Sequence, residues 1–144
     1  MPTVELQRIV IDTCVSISAA ILPQSIAAKA FSLALSNFQL VVSESALAEL
    51  VDVIYRKKFD GYLSDEARVA FLILLSQSSE NIVVTTIIND CVDPKDNQFL
   101  SLAVDSGAKI IISGDPHLTN MNPYRDISIM SPREFIEHTM GSGL

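Results

Sequence analysis

The chain has 144 residues, 49% of them hydrophobic and 19% charged, with a formal net charge of −7. This length and composition fit one folded domain with a proper core and exclude a disordered chain. The acidic balance argues against a broad nonspecific nucleic-acid surface, but not against a carboxylate-lined site neutralised by a cation.

The first predicted element is a strand over 8–11 (RIVI), with Asp12 directly behind it. Pro23 and Ser25 then precede an Ala- and Leu-rich helix over 26–35 that ends by Asn37. A second strand, 38–42 (FQLVV), leads through Ser43 into a helix over 44–56, where Leu47, Leu50, Val51 and Ile54 form an apolar stripe. Ser64 opens a helix over 65–77 with acids in its first turn, and the AFLILL run at 70–75 is expected to be buried there. The run IVVTT predicts a third strand over 82–86. Next come a helix over 94–106 stopped by Gly107, a strand over 109–113 (KIIIS) and a strand over 127–130 (ISIM). Ser131-Pro132-Arg133-Glu134 is a capping box that opens a helix over 135–140, and the tail 141–144 is expected to fray.

Near-continuous apolar strands alternating with helices predict an α/β domain whose mostly parallel sheet is covered on both faces. No repeat or linker divides it, so 1–144 reads as a single domain. The segment MPTVELQRIVID has no apolar leader pattern, and AFLILL is too short to cross a bilayer, so a soluble cytoplasmic protein is expected. Cys14 and Cys91 lie far apart and read as two free thiols. No CxxC or HxxxH spacing suggests a structural zinc site.

Ligands of open α/β sheets bind beyond the carboxyl ends of the strands. Asp12 follows the first strand, Asp115 follows the fourth, and Asp96 sits in the first turn of the helix leading into that fourth strand. Helical spacing puts Asp96 on one face with Phe99, Leu100 and Ala103, while Asp93 lies outside and suits the helix cap. The helix over 44–56 offers Glu44 or Glu49 as a fourth acid, and periodicity does not choose between them. At ~5 Å and an effective dielectric of ~20, each pair of such carboxylates repels by ~3 kcal/mol. They must protonate or hold a cation, and an all-oxygen set suits Mg²⁺ or Mn²⁺.

In order and spacing, Asp12 in RIVIDTCV, Glu49 in SALAELV, Asp96 in DPKDNQFLSLAVDSGA and Asp115 in IISGDPHL resemble the PIN-domain family of metal-dependent ribonucleases. The closing ISIMSPREFIEH is similar to the end of PIN domains that act as toxins of toxin–antitoxin systems, and the likeness runs over about 8–138. The resemblance implies a three-layer α/β/α fold whose five-stranded parallel sheet has its first strand central and its fourth beside it. It implies Mg²⁺- or Mn²⁺-dependent cleavage of RNA, with Asp12, Glu49, Asp96 and Asp115 as catalytic metal ligands and Glu49 preferred over Glu44. Asp93 matches an acid common in the toxin-like subgroup. Thr13 and Ser113 match small hydroxyl positions near the metal or phosphate, and Asn97 is a weaker candidate of that kind. An antitoxin protein or a second copy of the chain would be the protein partner, and no membrane is expected.

Two other readings compete. Asp12 could serve an α/β phosphatase as nucleophile, but Cys14 stands where a haloacid-dehalogenase-like motif needs its second acid. A PIN-like interaction module is the non-enzymatic reading, in which 70–75 would offer an apolar surface where exposed. Cys14 reads as small packing, His117 as a turn residue, and Arg56-Lys57-Lys58 as a solvated helix end.

Overall fold

Five short strands assemble into one parallel sheet in the order β3-β2-β1-β4-β5, so the first strand is central and the fourth lies beside it. The structure, a computed structural model, describes residues 5–141. The strands are β1 (Arg8–Ile11), β2 (Gln39–Val42), β3 (Ser79–Asn81), β4 (Ile110–Ile112) and β5 (Ser128–Met130). The helices are α1 (Thr13–Ile21), α2 (Ile26–Asn37), α3 (Glu44–Ile54), α4 (Asp65–Ser78), α5 (Asn97–Ser106), α6 (Pro116–Thr119) and α7 (Pro132–Gly141). Short 3-10 turns cover Lys57–Phe59 and Pro94–Asp96.

Alternation along the strands makes two cores. Ile9 and Ile11 of β1 face one way with Leu40, Ile110 and Ile112, and meet Phe31 of α2, Ile54 of α3 and Phe135 of α7. Val10 faces the other way with Val41, Ile111 and Ile129, and meets Phe99, Leu100 and Ala103 of α5 and Leu118 of α6. Burial on both faces is why these strands are apolar without interruption. This is the three-layer α/β/α arrangement expected of the chain.

Local signals set most element ends. Ser25, Ser43 and Ser64 accept the N–H groups of Ala28, Ala46 and Ala67 at 3.1 Å and start α2, α3 and α4. Gly107 takes a left-handed φ of 74° and closes α5. At α7 the capping box forms in both directions: Glu134 N–H donates to Ser131 Oγ at 3.1 Å, and Ser131 N–H to Glu134 Oε1 at 3.0 Å. Gly141 is the last residue of α7, and the rest of the predicted frayed tail, 142–144, lies outside the described residues.

Several expectations need correction. The third strand is Ser79–Asn81, not 82–86. As an edge strand it needs little apolar surface, and Arg8 reaches across to it with a bidentate pair to Glu80 at 3.1 and 2.6 Å. IVVTT follows it outside the sheet, its Thr85 and Thr86 N–H groups bound by the Asp105 carboxylate at 2.6 and 2.9 Å instead of by a strand. The helix predicted over 44–56 stops at Ile54, and the one predicted over 94–106 opens as a 3-10 turn. Helix α1 was not predicted, and residues 116–119 form a helix where a turn was expected. The 70–75 run is not wholly buried: Leu75 is buried, but Ile73 and Leu74 are 51% and 46% exposed. Among the described residues no single helix is long and apolar enough to cross a membrane.

Candidate metal centre

Because β1 and β4 are parallel neighbours, their carboxyl ends bring Asp12 and Asp115 to one edge of the sheet. Asp12 is 3% exposed and caps α1: its Oδ1 accepts the Val15 N–H at 2.8 Å. Its Oδ2 accepts the Ser113 hydroxyl at 2.5 Å and the Gly114 N–H at 3.3 Å. Burial raises the Asp12 pKa, and these three donors, Ser113 foremost, work against the rise.

Ser113, fully buried at the end of β4, ties the two acids together. Its Oγ donates to Asp12 and accepts the Asp115 N–H at 3.0 Å. Asp115 caps α6, with its Oδ1 taking the His117 N–H at 2.9 Å. Asp96, the last residue of the turn before α5, caps nothing with its side chain. Its Oδ2 is buried without a hydrogen-bond partner. Burial, then the neighbouring Asp115, raise the Asp96 pKa to about 7, whereas Asp115 is lowered by the same contact. Burial and the Asp115 contact thus favour a protonated Asp96, while the same contact favours an ionised Asp115.

Glu49, half-buried on α3, accepts the Gln98 side-chain N–H at 2.6 Å, which ties it to the start of α5. Gln98 leaves its own Oε1 buried and unpartnered. Glu44 is exposed at the start of α3, beside Asn81 and Ile82, with no hydrogen bond to α5 among those described. Cys14 reports the cluster as a whole. Its thiol pKa is raised by burial and then by the charges of Asp12, Asp115, Asp96 and Glu49 together. All four acids therefore lie within electrostatic reach of one exposed thiol, so Cys14 does not take the packing role expected of it.

The remaining candidates divide. Thr13 is half-buried in the first turn of α1, next to Asp12. Asn97 is engaged structurally, its Oδ1 accepting the Cys91 N–H at 2.9 Å, which weighs against a ligand role. Asp93 caps the 3-10 turn through Lys95 N–H at 3.1 Å, yet one of its oxygens, one of Asp115 and a ring nitrogen of His117 lie within 4.8 Å of one another. Sequence reasoning left His117 in a turn and missed Gln98. The pattern D-x-H after the fourth strand was the available signal for His117; nothing in the sequence marks Gln98.

The donors fit a divalent cation. They are carboxylate oxygens, one of them buried without a donor, and burial together with the neighbouring Asp115 raises Asp96 far above the usual carboxylate range.

Comparison with known proteins bears on the family and the fold. A family model described as PIN domain matches residues 8–117. An uncharacterized protein of Methanocaldococcus jannaschii is 36% identical over 142 residues, covering 90% of each chain. Two solved structures share the fold. PAE2754 from Pyrobaculum aerophilum superposes with a TM-score of 0.59 at 10% identity, over 94% of this chain and 90% of that one. VapBC2 from Rickettsia felis, solved bound to a DNA fragment from their promoter, gives 0.57 at 15% identity, over 85% and 97%.

Proposed function

The chain belongs to the PIN-domain family, and on that premise we propose that it is a Mg²⁺- or Mn²⁺-dependent endoribonuclease, the toxin of a toxin–antitoxin pair. The observation that carries this reading is the buried, donorless oxygen of Asp96 beside Asp115, with Asp12 and Glu49 acting on the same space. Asp12, Asp96, Asp115 and Glu49 would hold the ion or ions. A divalent ion bound there supplies charge against the developing negative oxygens of phosphodiester hydrolysis and acidifies water.

The chain's own residues do the positioning. Ser113 offsets part of the rise that burial imposes on the Asp12 pKa and fixes the Asp115 backbone through the same hydroxyl. Gln98 holds Glu49 toward α5, so Glu49 can orient an attacking water or a further ion. Hydrogen bonds to Val15 and His117 leave Asp12 and Asp115 little rotational freedom, so the cleft is formed before substrate arrives. The test is a metal titration with a defined single-stranded RNA. Wild-type protein should cut it in Mn²⁺ and not in EDTA, and Asp12→Asn should leave it whole. RNA equally intact with both proteins sinks the reading.

A protein partner is favoured by α4. Tyr62 before it and Val69, Ile73 and Leu74 on it are large apolar side chains open to solvent, which a partner could cover. This surface would take an antitoxin. It would equally serve the second reading, an interaction module, which metal-independent melting would favour.

A further inference from the structure

The rim of the cleft carries a second set of donors with different chemistry. Asp93 and Asp115 each hold one oxygen on a backbone N–H, of Lys95 and of His117, which anchors each carboxylate at one end. The His117 ring is half exposed, and its Nδ1 stands 3.6 Å from Asp115 Oδ1, too far for a good hydrogen bond. One donor atom from each of the three residues lies within 4.8 Å of the other two. Ligand atoms around an ion at ~2.1 Å stand about 3–4 Å apart, so small side-chain rotations would close the set.

The imidazole decides what would bind. Carboxylates and water alone suit Mg²⁺, whereas a nitrogen donor favours the later divalent ions. Asp115 faces both ways: toward His117 and Asp93 at the rim, and toward Asp96, whose buried Oδ2 lacks a donor. Positive charge at Asp115 would relieve both neighbours.

We propose that Asp93, Asp115 and His117 form a cation subsite at the rim of the cleft. It takes Mn²⁺, Co²⁺ or Zn²⁺ in preference to Mg²⁺, and Asp115 links it to the four-carboxylate site. The proposal rests on the reading that Asp115 faces a cation, and its test separates the two. The chain has two histidines, His117 and His138, so the second is an internal control. The full chain, freed of metal with EDTA and dialysed, is titrated with Co²⁺ while the ring proton signals are followed by NMR and the affinity by calorimetry. The His117 signals should shift or broaden with the first equivalents while those of His138 stay in place, and the response should persist in excess Mg²⁺ and in Asp12→Asn. His117→Gln and Asp93→Asn should each weaken Co²⁺ binding about tenfold or more. Equal response of the two histidines, or unchanged affinity in His117→Gln, overturns the subsite. Failure of the nuclease reading looks different: RNA stays intact while the His117 response remains.

Discussion

Two buried charged centres in this molecule are built on opposite principles. Arg68 of α4 is 3% exposed. Its guanidinium donates to Ile54 O at 2.7 Å and Arg56 O at 3.4 Å, and pairs with Asp60 at 2.9 Å and Asp65 at 3.5 Å. It closes the end of α3, where the last helical carbonyls need donors, and it lies against the Tyr55 ring. The carboxylate cleft does the reverse. Asp96 leaves a buried oxygen without a donor, next to another acid, and Gln98 beside it leaves a second one. A charge kept for structure is satisfied from within the chain. A carboxylate left unsatisfied in the cleft carries a cost that a proton or a cation can relieve.

The contrast is open to direct attack, and the largest effect should come from the cleft. Asp96→Asn should reduce RNA cleavage about 1,000-fold, a barrier increase of ~4 kcal/mol, with an unchanged circular dichroism spectrum. Next is the other centre. Arg68→Met should lower unfolding stability by about 2–4 kcal/mol in urea denaturation, because the Ile54 and Arg56 carbonyls lose their donor. Its cleavage rate per folded molecule should stay near wild type. A large activity loss there would erase the distinction between the two centres.

A smaller effect lies in pH. Asp96 titrates at about 7 in the fold against an ordinary 3.8. The folded state therefore holds a proton that the unfolded chain has already released. Its contribution to stability is complete below the ordinary value and is lost as pH rises through about 7. In EDTA, the stability of wild type relative to Asp96→Asn should decline steadily across that window. A difference that does not vary with pH would show that Asp96 is not constrained as described. Smallest of all is Asp93→Ser, which keeps a capping hydroxyl and should hold cleavage in Mg²⁺ within about tenfold of wild type.

The same contrast explains what could be read from sequence. Strands β1 and β4 are buried on both faces, so their apolar runs were visible, and with them the acids at their ends. Strand β3 was misplaced because an edge strand made of Ser79, Glu80 and Asn81 has no apolar signature, while the neighbouring IVVTT does. Its Val83 is 87% exposed, and Asp105 takes its backbone donors. Helix α1 was hidden because TCVSISAAI is apolar nearly all round and rich in β-branched residues, so neither helical period nor propensity showed. Packing against α2 and the Asp12 cap hold it instead. The distinction between Asp93 and Asp96 followed from helix geometry. The approach of His117 to Asp93 did not, since it depends on how two short turns face each other across the cleft.

The central claim is that the carboxylate cleft holds a cation that stabilises the fold. Thermal melting of wild type and Asp96→Asn near neutral pH, each in EDTA and in Mn²⁺, tests it most directly. Wild type should melt lower than the variant in EDTA and rise clearly with Mn²⁺, while the variant responds weakly. A wild-type midpoint that Mn²⁺ leaves unmoved, or a variant that gains as much from the ion, would contradict the account.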